Sequence, residues 1–129
     1  MAKILFAQNL APSIYEFVVD APLVAHKCKP GQFVMIRTDE YSERIPLTIA
    51  DFDREKGTIT LIVQAVGNTT KDLCENYKEG DDILDIAGPL GQPSHMKNFG
   101  TVVVVSGGIG VAPVYPIARA YHELGNKVI

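Results

Sequence analysis

The chain has 129 residues, and its 12 basic and 15 acidic side chains give a formal net charge of -3 at pH 7. This length suits one globular domain of about 100–150 residues and excludes two complete ones. Apolar residues make up 47% of the chain and charged residues 21%, which excludes an intrinsically disordered protein. The acidic balance and the lack of a basic stripe argue against nucleic-acid binding and against an anionic membrane surface.

The cysteines and the apolar runs indicate a cellular setting. Cys28 and Cys74 lie far apart in sequence, which argues against a disulfide framework and against a zinc site. We therefore expect a reducing, cytoplasmic environment. The first residues lack the apolar segment of a signal peptide, and the valine run at residues 102–105 is far short of the ~20 residues that span a bilayer.

Residues 1–87 have the pattern of antiparallel β structure, because short apolar or alternating runs are separated by turn residues about every ten positions. Gly57 ends a polar hairpin loop, where it is free to take a positive φ. A small barrel is predicted, since closing the sheet removes exposed strand edges. The six predicted strands are residues 3–10, 14–20, 32–37, 45–52, 58–66 and 82–86.

The remaining segments predict one helix within the barrel and a β–α unit after it. The helix runs from Thr69 or Thr70 to Tyr77, with Thr70 as its candidate cap and Gly80 as its stop. Residues 101–106 are continuously apolar, as in a parallel strand buried on both faces. A glycine turn, a helix over residues 112–124 and a second strand from Lys127 follow. We predict a barrel domain over residues 1–98 and the first unit of an α/β nucleotide-binding domain over residues 99–129.

The sheet of this second unit is expected to be incomplete, because one helix and a short strand cannot cover both of its faces. We expect the chain to be cut within that domain; the alternative is that another chain completes the sheet. The uncovered valine strand also predicts self-association through this sheet.

The glycine turn at residues 106–113 is the strongest local motif. Gly107, Gly108 and Gly110 let the backbone approach a phosphate closely, and the following helix start supplies unpaired N–H groups and the positive end of the helix dipole. Pro113 suits the first helical turn. The third glycine of the dinucleotide fingerprint is absent, so a turn without a ligand is the alternative interpretation.

Two further segments carry polar groups suited to a cofactor. Arg44 can bind a phosphate bidentately, and Thr48 can donate a hydrogen bond to a ring nitrogen, although a solvated charge and an ordinary strand residue are the simpler interpretations. Thr69 and Thr70 follow Gly67 at the predicted helix start, where they offer hydroxyls to an anion or simply cap the helix. The three histidines are scattered, and no metal site is predicted.

Taken in this order, the motifs resemble those of the ferredoxin–NADP reductase superfamily, in which a flavin-binding β-barrel precedes a nicotinamide-binding α/β domain. The resemblance covers the whole chain and, within the superfamily, is to the electron-transfer subunits of dihydroorotate dehydrogenase and the small subunits of NADH-dependent ferredoxin:NADP oxidoreductase. The residues that carry it are 30–34, 44–48, 67–70, 80–81, 88–91 and 107–113.

The resemblance implies a mainly β fold, with a six-stranded antiparallel Greek-key barrel that binds FAD, and hydride transfer from NAD(P)H. Thr48 would lie near the reacting flavin nitrogen as the catalytic residue. One departure concerns the arginine, which lies four residues before Thr48, whereas the family places it three before. The cofactor-binding residues implied are Pro46, Leu47 and Thr48 at the flavin ring, Ile62, Val63 and Gln64 on the adenosine or ribityl side, Gly67, Thr69 and Thr70 at the pyrophosphate, together with the displaced Arg44, and Gly107, Gly108 and Gly110 at the nicotinamide nucleotide.

The implied function is a flavoprotein electron-transfer subunit that passes electrons between NAD(P)H, FAD and an iron–sulfur partner. The implied partners are a larger reductase subunit and a ferredoxin-type carrier. A [2Fe-2S] cluster is expected only in a region missing from this chain, because such clusters need four ligands and the chain has two cysteines. The fragment alone is predicted to be inactive in turnover. The alternative is a flavin-free barrel that docks a larger reductase subunit.

Overall fold

The computed structural model describes residues 1–129 and contains a nearly closed antiparallel barrel. Seven strands hydrogen-bond in the order β6-β1-β2-β5-β4-β3-β7, and every neighbouring pair is antiparallel. The predicted mainly β fold is confirmed, whereas the Greek-key connectivity stays a prediction. The strands are β1 (Ala2–Ala11), β2 (Ile14–Asp20), β3 (Phe33–Arg37), β4 (Ile45–Asp53), β5 (Thr58–Gln64), β6 (Asp82–Ile83) and β7 (Asp85–Leu90).

The predicted count of six strands is wrong, because the single strand expected over residues 82–86 is two strands. β6 pairs with β1, whereas β7 pairs with β3 on the other side of the barrel gap. Between them, the Leu84 N–H donates to the Thr38 carbonyl at 3.2 Å. The chain thus crosses from one barrel edge to the other at Leu84, which nearly closes the barrel.

Side chains at alternate positions of the strands fill the barrel core. Phe17 and Val19 on β2 are buried, and so are Ile59, Leu61 and Val63 on β5. Because successive side chains of a strand point to opposite faces, the intervening residues face outward. Gly57, with φ +69°, makes the tight turn between β4 and β5 that was predicted from its position.

Two short helices accompany the barrel. Helix α1 (Pro22–Lys27) is missing from the sequence prediction, although a proline in the first helical turn is a common start signal. Helix α2 (Asn68–Asn76) confirms the helix predicted from Thr69 or Thr70 to Tyr77, within two residues at each end. Leu73 and Cys74 on α2 are buried in the core.

The C-terminal residues form a small α/β unit. β8 (Thr101–Val102) and β9 (Lys127–Val128) pair in parallel, and α3 (Val111–Glu123) connects them after a 3₁₀ turn at Gly108–Gly110. The strand predicted over residues 101–106 is shorter than expected, because only β9 is present to pair with it. Val103 and Val105 are consequently 65% and 86% exposed.

Asn126 ties this unit to the segment that leaves the barrel. Its Oδ1 accepts hydrogen bonds from the Phe99 N–H at 2.7 Å and the Gly100 N–H at 3.0 Å. Its Nδ2 donates to the carbonyls of Lys97 at 3.1 Å and Tyr121 at 2.9 Å. Asn126 is 3% exposed, so its amide is buried while its bonds reach partners at the surface.

None of the three helices combines the length and the hydropathy of a segment that crosses a bilayer.

We predict that Leu61→Ala lowers the free energy of unfolding by about 2–5 kcal/mol, because it removes a fully buried side chain and leaves a cavity. Leu23→Ala is the matched control, since Leu23 is 77% exposed and its truncation is expected to change stability by less than ~0.5 kcal/mol. Chemical denaturation of both variants measures the difference. Equal losses would contradict the assignment of Leu61 to the core.

A second prediction concerns stability in alkali. Burial raises the pKa of the Cys74 thiol from 9.0 to about 11, and the Glu75 carboxylate adds to the rise. The native state therefore holds the thiol proton more tightly than the unfolded state, so this contribution to stability is complete below pH 9 and is lost as the pH rises toward 11. The difference in unfolding free energy between the parent and Cys74→Ala should shrink over that interval. A constant difference would contradict the burial of the thiol.

Candidate functional site

A cleft of about 340 Å³ lies between the outer wall of the barrel and the start of α3. Three consecutive residues of β4 and three of β5 form the barrel side, and the 3₁₀ turn with the first turn of α3 forms the other side. The cleft therefore joins segments that are more than forty residues apart in sequence. Its lining consists of Pro46, Leu47, Thr48, Ile62, Val63, Gln64, Val66, Thr70, Ile109, Gly110, Ala112 and Pro113.

The barrel side of the cleft follows from the pairing of β4 with β5. Ile49 lies opposite Leu61, and both side chains are buried in the core. The preceding Thr48 and the following Ile62 are half-buried and line the cleft. Pro46 is exposed on the same strand and supplies a rigid wall without a backbone N–H. The structure therefore brings together both of the strand triplets that were singled out in the sequence.

The start of α2 borders this cleft through Thr70. The Thr70 hydroxyl accepts hydrogen bonds from the N–H groups of Val66 at 3.1 Å and Gly67 at 2.8 Å, and it donates to the Gly67 carbonyl at 3.1 Å. The Lys71 N–H donates to the same carbonyl at 2.9 Å, which is the first intrahelical bond. Thr70 thus shapes the loop before the helix with its own hydroxyl, while the backbone N–H groups of residues 68–70 precede the first helical bond.

Thr69 lies in a different, polar pocket of about 460 Å³ on the other side of the α2 start. Three carboxylates, those of Asp39, Glu43 and Asp72, also line this pocket. Their negative charge disfavours a phosphate there. The remaining lining residues are Tyr41, Ser42 and Asn68.

The glycine turn closes the cleft from the side of α3. Gly110 lines the cleft, and its φ of -59° is helical, so its backbone accommodates any residue. A Cβ atom added at Gly107, Gly108 or Gly110 would meet nothing within 4 Å. The glycines therefore leave open space in front of the turn, as a ligand at the backbone would require.

A second cleft, of about 440 Å³ and mostly apolar, adjoins the first and was not predicted. Ile62, Ile109 and Ala112 line both clefts, so the two are separated only by these side chains. Gly108 faces the second cleft. Its other apolar residues lie on strands or on α3. Their sequence pattern is that of ordinary core residues, so it does not predict a cleft at this place. They include Leu10, Ala11, Ile14, Ala50, Val111 and Tyr115.

Arg44 lies outside both clefts. Its Nη1 donates to the Asp85 Oδ2 at 2.5 Å, and the two side chains are 50% and 44% exposed. The hydrogen bond from Arg44 lowers the pKa of the Asp85 carboxyl below its ordinary value. The ion pair thus spans β3, since Arg44 lies at the start of β4, Asp85 lies at the start of β7, and β3 pairs with both strands.

No protein-family model matches the chain. It is 48% identical over 120 residues to the dihydroorotate dehydrogenase B (NAD(+)) electron transfer subunit homolog of Thermotoga maritima, a match that covers 93% of this chain and 42% of that protein. It is 39% identical over 126 residues to the dihydroorotate dehydrogenase B (NAD(+)) electron transfer subunit of Shouchella clausii, covering 93% of this chain and 48% of that protein. The chain thus spans about half the length of these curated relatives.

The fold is similar to that of a chain in the solved structure of the NADH-dependent reduced ferredoxin–NADP oxidoreductase. The TM-score is 0.96 at 45% sequence identity, over 99% of this chain and 46% of that chain. Sequence and fold thus agree with the likeness drawn from the barrel and glycine-turn motifs. Over these residues the chain is a homologue of the curated dihydroorotate dehydrogenase B electron transfer subunits and shares the fold of the NADH-dependent ferredoxin–NADP oxidoreductase chain.

Proposed function

We propose that this chain binds FAD in the cleft between β4, β5 and α3, as part of an electron-transfer subunit that passes electrons between NAD(P)H and an iron–sulfur partner. In this proposal residues 1–98 are the flavin-binding barrel and residues 99–129 are the first unit of the nicotinamide-binding domain. The observation that carries it is the convergence of both strand triplets, Thr70 and Gly110 on one cleft.

The residues of the cleft fit a flavin in shape and chemistry. Pro46, Leu47 and Ile62 offer apolar surface to an aromatic ring, while Thr48 and Gln64 offer hydrogen-bonding groups at its edge. The start of α2 suits a pyrophosphate on the side of Thr70, which borders the cleft, because backbone N–H groups there precede the first helical bond and lie at the positive end of the helix dipole. The open space before the glycine turn suits a nucleotide that approaches the backbone.

When bound, FAD would accept a hydride from a nicotinamide and release electrons singly. The chain's own residues would bind and orient the cofactor. Thr48 would hold a hydrogen bond at the ring edge, and the side chains of Leu47 and Ile62 would exclude water from the ring face. Gly110 would leave room for the nicotinamide, and Thr70 would keep the loop before α2 in the shape that presents its N–H groups.

In this scheme the predicted site residues fall into three groups: direct contacts, a residue that acts through a loop, and residues outside the cleft. Thr48, Gln64 and Gly110 would contact cofactor directly, whereas Thr70 would act through the loop. Arg44 would contribute only if it left Asp85, and Thr69 would face the carboxylate-lined pocket rather than the flavin.

The relatives named above are subunits, so we propose a larger partner subunit for this chain as well, with a ferredoxin-type carrier as the electron acceptor. Any iron–sulfur cluster in this scheme belongs to residues other than these 129. Both cysteines are buried in the core, and no group of three or more His, Cys, Asp or Glu side chains is arranged to hold a metal.

The central test is titration of the purified chain with FAD. We expect saturable binding with quenching of flavin fluorescence, because the ring would leave water for a cleft of about 340 Å³. Gly110→Val should weaken this binding at least about tenfold, since its side chain would enter the cleft and overpacking costs roughly 1–3 kcal/mol. His122→Val, at an exposed position later on the same helix and outside both clefts, is the control. Absence of FAD binding by the parent chain would overturn the proposal and favour the flavin-free docking barrel.

The hydroxyl group of Thr48 is expected to contribute to FAD binding. Thr48→Val keeps the shape of the side chain but removes the hydroxyl, so we expect the dissociation constant for FAD to rise about fivefold, corresponding to about 1 kcal/mol for one hydrogen bond. Thr60→Val is the matched control, because Thr60 lies on neighbouring β5 and lines the other cleft. An equal effect of both substitutions would contradict the role of Thr48.

A further inference from the structure

Two arginines meet at the aromatic ring of Phe52 on β4. The guanidinium carbon of Arg54 lies 4.7 Å from the ring centroid, and that of Arg119 on α3 lies 5.5 Å from it. Arg119 also lies 5.5 Å from the ring of Tyr115, one turn earlier on α3. Guanidinium groups stack on aromatic faces while their N–H groups remain free to donate. Phe52 thus joins the barrel to the C-terminal helix.

An ion pair reinforces this contact. Arg119 Nη1 lies 2.6 Å from Asp51 Oδ1, and the same oxygen accepts the Phe52 N–H at 2.8 Å. Of the three ion pairs in the structure, this one alone connects the barrel with residues 99–129. The Arg119 and Asp51 side chains are 32% and 38% exposed, so water and salt screen the pair only in part.

A β-bulge turns Asp51 toward the helix. Ile49 lies opposite Leu61 and Asp51 opposite Thr60, so β4 holds one extra residue, Ala50, at this point. Without the bulge Asp51 would share the core-facing side of Ile49, because residues two apart on a strand share a face. Bulges commonly redirect a side chain in this way. The local backbone is therefore arranged to present a carboxylate to α3.

Arg54, in the loop between β4 and β5, is held by three hydrogen bonds to the end of α1. Arg54 Nη1 donates to the carbonyls of Ala25 at 3.0 Å and His26 at 2.9 Å, and its Nη2 donates to the Cys28 carbonyl at 2.9 Å. Arg54 is thereby fixed on the end of α1, and it supports the Phe52 ring against which Arg119 packs. Hydrogen bonds to α1 therefore hold one side of the surface that receives Arg119.

This contact lies outside the cleft but on the same strand and the same helix as two parts of it. Thr48 is three residues before Asp51 on β4, and Gly110 immediately precedes α3, the helix that carries Arg119. The other end of α3 is held by Asn126. The angle at which α3 lies on β4 consequently sets the separation between the glycine turn and Thr48.

We propose that Arg119 is a positioning residue, which through Asp51 and Phe52 holds α3 on the barrel and so sets the width of the cleft. The consequence for cofactor geometry rests on the proposed function, whereas the mechanical role does not. Loss of the contact lets the C-terminal unit move on the barrel, because interfaces between domains permit relative motion unless they are large and apolar.

The test measures a distance between the two units in the absence of any cofactor. Spin labels are placed through Glu79→Cys on the barrel and His122→Cys on α3, both at exposed positions. The native Cys28 and Cys74 are buried and are not expected to react with the label. Double electron–electron resonance should give a narrow distance distribution in this background. Arg119→Ala should increase the width of the distance distribution about twofold, because the C-terminal unit loses a contact that holds it on the barrel.

Asp51→Asn supplies a second, milder variant, which keeps the side-chain volume and the whole of α3. It should broaden the distribution in the same direction, and combining it with Arg119→Ala should add little, because both remove one interaction. Lys127→Ala is the control for loss of a positive charge in the same unit, since Lys127 is exposed on β9 and forms none of the ion pairs. Distributions that stay narrow in Arg119→Ala and Asp51→Asn would overturn the proposal.

A separate measurement distinguishes this proposal from the proposed function. FAD titration of Arg119→Ala should show binding weakened several-fold together with less quenching of the flavin, because the glycine turn no longer closes the cleft. If the parent chain binds no FAD but the distances change as expected, the positioning role stands and the flavin function falls. If FAD binds and the distances do not change, the flavin function stands and the positioning role falls.

Discussion

The antiparallel pairing of β4 with β5 is the interaction on which the rest of the cleft depends. Ile49 and Leu61 face each other with their side chains in the core. Burying an aliphatic side chain contributes about 1.5–3 kcal/mol, so a shift of one residue in this register would expose both and is strongly disfavoured. The same register turns Thr48 and Ile62 outward on adjacent strands. The stability of the core and the geometry of the cleft thus come from one set of strand contacts.

The second side of the cleft depends on how the C-terminal unit packs against the barrel. Its two-stranded sheet is small and leaves Val103 and Val105 exposed, so little of its orientation comes from the sheet itself. The orientation comes instead from α3, which contacts β4 through Arg119 and is tied to the preceding segment through Asn126. The glycine turn lies at the cleft because the helix that follows it is held on β4.

Electrostatics separate the polar residues that reach the cleft from those that do not. Arg44 is paired with Asp85 at the far side of β3, where an opposite charge within hydrogen-bonding distance retains it. Thr69 faces three carboxylates, whereas its neighbour Thr70 turns its hydroxyl into the loop before α2. Two adjacent threonines with the same local propensity therefore have different surroundings, and only one of them borders the flavin cleft in the proposed scheme.

Much of the barrel could be predicted from local patterns. Short segments are enough to predict the alternation over β2 and β5, the turn at Gly57 and the glycine-rich start of α3. Strand periodicity and backbone freedom are local properties of the chain. The order of these motifs was also enough to indicate the likeness to the electron-transfer subunits that the comparisons found.

What only the tertiary structure decided involves residues distant in sequence. The division of residues 82–90 into two strands depends on which barrel edge is nearer, and the partners of Arg44 and Arg119 depend on strands and helices that meet only after folding. A charged side chain carries no local sign of the group that will lie opposite it. The sequence by itself therefore determined most of the elements and the likeness to the electron-transfer subunits, whereas the packing of α3 on β4 decided which residues share the cleft.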